Sequence, residues 1–411
     1  MNRPRGTTWR RTATIAVVVV CVGYAPIAMT ELWPYAHRGA PALGEWLLRR
    51  AVSPRYVADA LATRIGPYGR SLAAMVFHSV LGGVLMLLGP AQLLSAIRRR
   101  IRLHRVLGVV YALTVYASMA GAALYLARTA PRDAFSGPAF WIVLATLLVG
   151  TVLSVTFGIL AAVGAFPDLH QRWMLLCYAY LMSAPLLRLE WGALPVILPG
   201  LSMEDVNRVA IMHLGAVVTF GALLASRTMD KRDTAPGVRG TWVPMPVLAV
   251  AQVAGATGLV WIAKSSLGWG ATGFRLLVAY LVPFAGAYVT MFVCQRRAGR
   301  AGRSWAREEW RLHLAALCLA PPFSAAAALL FEHFTGLDPR TALTASVAIG
   351  CGMLAFTATA IVSLRVMFGR EQRKRERLTA ATPCPEPERD PERDPHQNPE
   401  RDPERDRTPV N

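Results

Sequence analysis

Lysine is nearly missing from this chain. It stands only at positions 231, 264 and 374, so the formal net charge of +19 is carried almost wholly by arginine. Charge of either sign is scarce, at 17% of residues against 54% hydrophobic, and the mean hydropathy is +0.36. That balance argues against the two or three soluble domains that 411 residues would otherwise suggest. None of the six cysteines forms a C-x-x-C pair, which leaves zinc-ribbon and thioredoxin-like chemistry without a framework. The phosphate-cradling loop, the nucleophile triad and the metalloprotease motif are also missing, so soluble-type catalysis has no foothold.

What is present is a series of apolar runs near 20 residues long, each enough to cross a hydrocarbon core of roughly 30 Å as a helix. The runs lack the two-residue alternation of a barrel, and in lipid only helices and closed barrels satisfy every backbone group. The expected fold is an all-α polytopic transmembrane bundle of about ten spans. They fall near 12–30, 71–94, 104–126, 137–166, 170–198, 206–226, 243–263, 274–294, 311–333 and 341–366, the first retained rather than cleaved. Gly150, Ser154 and Gly158 recur every four residues, a stripe that lets another helix approach closely. Ser202 and Asp205 have the spacing of a capping box, and Pro321-Pro322 should kink span nine.

Alternating the spans gathers the basic clusters 98–102, 296–307 and 370–377 on one side with both termini, and makes that side cytoplasmic. The expected setting is a bacterial plasma membrane, with the arginines meeting anionic lipid headgroups rather than nucleic acid. Four regions follow: a first span and external loop (1–70), a five-span histidine-bearing core (71–226), a four-span half (243–366) and a tail (367–411). The external loop should form short interfacial helices. The tail repeats P-E-R-D, a composition that cannot bury a core and reads as disordered.

Histidines inside spans are the chemistry-bearing feature. At the helical rise of about 1.5 Å per residue, His78 and His213 lie at one depth from the outer side, and His104 and His170 at a second depth near the cytoplasmic side. Paired imidazoles at matched depth can ligate haem iron, and Gly82, Gly83, Gly108 and Gly215 beside them would make room for a macrocycle. The alternative is that each histidine simply hydrogen-bonds a neighbouring helix. Arg188 and Glu190 are the other intramembrane charges; two residues apart, they should face away from each other. Arg188 could neutralise a propionate or another anionic ligand. His313 and His333 read as structural.

Four motifs carry a resemblance: H-S-V-L-G-G-V-L-M-L-L-G-P-A-Q from His78, R-x-R-L-H-R-V-L-G-V-V-Y around His104, H-Q-R-W-M-L from His170, and L-L-R-L around Arg188. In this order they resemble the bacterial membrane family catalogued as domain of unknown function 2306, over about residues 74–195. The resemblance implies signature positions at His78, Gly82, Gly83, Gly89, Pro90, Gln92, His104, Arg105, Gly108, His170, Arg172, Trp173, Met174 and Arg188. It implies no activity. The layered histidines are also similar to those of two-haem transmembrane cytochromes that take electrons from ascorbate, although those use four consecutive helices.

Three functions remain open from sequence. One is transmembrane electron transfer on haem b, held by His78 with His213 and by His104 with His170. A second is small-molecule or lipid transport through a cavity lined by His78, Arg188 and His213. The third is a membrane scaffold or sensor acting through its tail and external loop.

Overall fold

The computed structural model of the chain describes residues 5–37, 39–229 and 240–381. Within them the elements are α1 (Arg5–Thr30), α2 (Trp33–Ala36), α3 (Leu43–Ala51), α4 (Pro54–Arg70), α5 (Leu72–Leu93), α6 (Ser95–Arg99), α7 (Ile101–Arg128) and α8 (Gly137–Val163). Then come α9 (Pro167–Leu181), α10 (Ser183–Ile197), α11 (Met203–Met229), α12 (Met245–Leu267), α13 (Gly270–Arg300), α14 (Ser304–Thr335) and α15 (Pro339–Ala381). The P-E-R-D tail and the polar segment 230–239 lie outside the described residues.

Nine helices among the described residues are long and apolar enough to cross a membrane. Their outward side chains agree with that reading: Val106, Val109 and Leu113 on α7, and Val247, Val250 and Val253 on α12, are exposed where lipid would meet them. This is a polytopic helical bundle.

The expected fifth span is not one helix. It breaks at Met182 into α9 and α10, each of 15 residues. Pro185 supplies the reason: it lacks an N–H and crowds the carbonyl four residues back, at Leu181. The Ser183 hydroxyl donates to the Tyr180 carbonyl at 2.6 Å, covering one backbone oxygen at the break. The pair still traverses the bundle. At one end His170 meets Gly158 and the His104 ring; at the other, Trp191 donates to Asn207 at the start of α11. α9–α10 therefore joins the two ends of the bundle, although neither helix alone is among the nine long apolar ones.

Local signals landed where the residues placed them. Ser202 Oγ accepts the Asp205 amide at 3.1 Å and donates to its carboxylate at 3.0 Å, opening α11. Gly150 and Gly158 abut Tyr180 and Met174 of α9, and Ser154 between them is fully buried. Pro321 and Pro322 sit inside the continuous α14, and Gly258 of α12 lies against their backbone. The external loop forms α2, α3 and α4. Trp33 and Trp46 on them are exposed, whereas Tyr56, Arg64 and Tyr68 turn inward.

The family-like core and the C-terminal half are bolted together at the arginine-rich end. Glu309 of α14 is wholly buried and receives the guanidiniums of Arg172 from α9 and Arg227 from α11, the latter at 2.8 Å. His313, one turn along, stands 3.7 Å from the same carboxylate. Beside it, Glu308 accepts the Trp242 amide at 2.6 Å and Arg365 of α15 at 2.5 Å. Buried carboxylates and guanidiniums are tolerable in such a place because each charge is matched and hydrogen-bonded.

Candidate functional site: an intramembrane chamber

A cavity of about 230 Å³ lies inside the bundle, far above the ~10–15 Å³ that lodges one water. α1, the turn after it, α4, α5, α7 and α8 form one part of its wall, and α9–α10, α11 and α15 form the rest. Most of the wall is apolar: Met75, Met86, Met119, Leu144, Leu147 and Ile349 among others. The break in α9–α10 belongs to it, through Leu181, Ser183 and Ala184. Irregular backbone at membrane depth is characteristically found where it borders a cavity or another part of the protein.

The charged groups of the wall, Glu31 and Arg188, gather at the end nearer the external loop. Arg188 donates to Glu31 Oε1 through Nε at 3.1 Å and through Nη2 at 2.6 Å. Arg64 of α4, only 5% exposed, stands 3.8 Å from the same oxygen. Both guanidiniums lie over the Trp191 ring, Arg188 at 4.1 Å and Arg64 at 5.3 Å from its centre. The Trp191 indole N–H donates to Asn207 Oδ1 at 3.3 Å, Asn207 in turn donates to Ser136 at 2.9 Å, and the Tyr56 hydroxyl donates to the Trp191 carbonyl at 3.1 Å. Outside this layer Glu45, in the first turn of α3, feels Arg64 and Arg49, and burial lifts its carboxyl above the ordinary range.

The histidines divide differently from their depths. His78 lines the chamber, its Nδ1 2.9 Å from the Ser118 carbonyl, while the Ser118 hydroxyl donates to the His78 carbonyl at 3.1 Å. This reciprocal pair clamps α5 to α7, and Gly121 lets the two backbones meet there. His213 does not line the chamber. Its Nδ1 pairs with Glu190 at 2.5 Å, and its side chain is 41% exposed. His78 and His213 thus have separate partners on separate helices. His104 and His170 do come together, their rings 6.5 Å apart and edge-on. His170 Nδ1 is tied to the Gly158 carbonyl at 2.9 Å, and His104 Nδ1 is buried with no partner. Arg188 and Glu190 face apart as their spacing requires, toward Glu31 and His213 respectively.

Of the glycines expected to make room beside a ligand, only Gly82 does so in the chamber: a side chain there would meet nothing within 4 Å. Gly83 and Gly215 instead let their helices touch the backbones of α1 and α15. Among the described residues no group of three or more His, Cys, Asp and Glu side chains could hold a metal ion. The five described cysteines are free thiols. Glu31, Arg64, Ser118 and Trp191 did not stand out in the sequence. Only the position of Glu31 at the end of the first apolar run gave a signal.

Fold and site together define a multi-pass helical membrane protein built around a mostly apolar chamber with one charged end. Residues 75–227 match the family described as Predicted membrane protein (DUF2306). The matched segment runs from α5 to α11 and contributes most of the chamber wall. No curated protein and no solved structure matches the chain.

Proposed function

We propose that this protein binds an amphiphilic small molecule or lipid inside the membrane and passes it through the chamber. One observation carries the reading: a mostly apolar cavity within the bundle ends in the Arg188–Glu31 pair and runs along the break in α9–α10. Sites of this build suit a ligand with a long apolar body and a single polar end, because a few placed polar groups then fix its orientation. Broken helices at the binding site are a recurrent device of transporters, where the interruption gives the wall a place to move. The residues bearing the function are Arg188 and Glu31 at the polar end and Gly82, His78 and Ser118 along the wall. His213 has no part in it.

Solvent extraction of the full chain, purified in mild detergent, followed by mass spectrometry, tests the reading. One amphiphile should be released at near-equal molar ratio to protein. Release of nothing but the bulk lipid mixture of the host membrane would overturn it.

A second reading, haem b or another imidazole-bound metal, is favoured by the meeting of His104 and His170 and by the unpaired Nδ1 of His104. It would engage this inner pair alone, with His78 and His213 left to Ser118 and Glu190. Its test is the absorption spectrum of the purified protein. A Soret band lost in both His104→Ala and His170→Ala would support it, and a wild-type protein with no such band would end it.

A further inference from the structure

The charged end of the chamber is unbalanced. Two guanidiniums, Arg64 and Arg188, converge on one carboxylate, and the contacts of both arginines fall on the same oxygen, Glu31 Oε1. Side-chain exposure is 5% for Arg64, 14% for Glu31 and 21% for Arg188, so water screens this excess of positive charge poorly. The Trp191 face spreads both cations without neutralising either, and Glu45, the next acid outward, already faces Arg49 as well as Arg64. Glu31 lies outside regular helix, in the turn between α1 and α2, and both it and Arg188 line the cavity. A group entering from the apolar side reaches Arg188 directly and competes with Glu31 for it.

We infer that the ligand is a carboxylate-headed amphiphile, and that Glu31 is an internal stand-in for its head, occupying Arg188 until the ligand displaces it. This rests on the binding role proposed above and names its substrate class. A purely structural Arg188–Glu31 pair would need one cation for one anion. The second guanidinium makes the cluster a place where a further negative charge is stabilised, since a charge-assisted bond in such surroundings outweighs a neutral one about twofold. Displacing Glu31 would also free the turn that joins α1 to α2, which couples occupancy to movement at the mouth.

The experiment compares three probes on the full chain in non-ionic detergent: oleate, oleyl alcohol, and the phosphate-headed lysophosphatidate of the same tail. Wild type should bind oleate more tightly than oleyl alcohol. Glu31→Gln, which keeps the side-chain shape and removes the competing charge, should tighten oleate by roughly tenfold or more and shift oleyl alcohol by much less. Arg188→Gln should reduce oleate to no more than the affinity of oleyl alcohol, with an unchanged thermal unfolding profile in detergent showing that the variant is folded. Equal affinities of oleate and the alcohol in wild type and Glu31→Gln, or weaker oleate binding in Glu31→Gln, would overturn the inference and leave the chamber reading standing. Tighter binding of the phosphate than of oleate would overturn the carboxylate class. Failure of all three probes would count against the chamber reading itself.

Discussion

Glu309→Ala should lower the stability of the folded chain by about 3–5 kcal/mol, the usual consequence of removing one partner from a buried ion network. The wild-type side chain is completely buried and takes charge from Arg172 and Arg227 together, with His313 alongside. Without it, two guanidiniums face each other with little access to water, and their repulsion adds to the lost hydrogen bonds. The effect is long-range in sequence, because Arg172 and Arg227 belong to the matched segment and Glu309 does not. Thermal unfolding in detergent reads it, with Glu371→Ala as the control: that carboxylate is 53% exposed and paired one turn away with Arg375, so its removal should cost about 0–1 kcal/mol. Simultaneous replacement of Glu309, Arg172 and Arg227 by methionine should recover much of the loss, since it removes both guanidiniums together with the carboxylate that they share. Equal and small effects of Glu309→Ala and Glu371→Ala would show that the two halves are not braced here.

Gly82→Trp should abolish ligand binding while leaving the protein folded. A side chain at this position meets nothing within 4 Å, and the position lines the chamber, so the indole would enter the cavity rather than push helices apart. Filling roughly the volume the ligand tail needs should weaken oleyl alcohol at least ~100-fold, about 2.7 kcal/mol at 1.4 kcal/mol per tenfold. Stability should hold or rise slightly, because glycine in a helix interior is about 0.5–1 kcal/mol less favourable than alanine. Gly83→Trp, one residue on, is the contrast. Its neighbours are the Ala25 carbonyl and the Met29 side chain of α1, so the same change should unfold or distort the bundle. Unaltered alcohol binding in a folded Gly82→Trp protein would remove this cavity as the ligand site.

Much of this architecture is legible from residues. The apolar runs locate the long helices to within a few positions, and the Ser202–Asp205 cap and the Gly150–Gly158 stripe do the work their spacing implies. The break at Met182 was less visible, because Pro185 sits inside an apolar run whose total length suits a single span. An expected depth for His78 with His213 and for His104 with His170 could be drawn from the helical rise. Azimuth could not. Each residue turns a helix by about 100°, and the order of helices around a bundle is not written in any local pattern. Of the two pairs expected at equal depth, His104 and His170 do meet, whereas His78 bonds Ser118 and His213 bonds Glu190. Arg188 was marked as a charge awaiting an anion; that Glu31, 157 positions earlier, would meet it depended on packing between α1 and α10.

The most direct measurement is a density map of the full chain in lipid nanodiscs, at a resolution that shows side chains. The account expects a continuous elongated feature that is not protein, running beside Gly82 and ending within hydrogen-bond reach of Arg188. A chamber closed by its own side chains, or an empty one with Arg188 still on Glu31 after saturation with oleate, would contradict it.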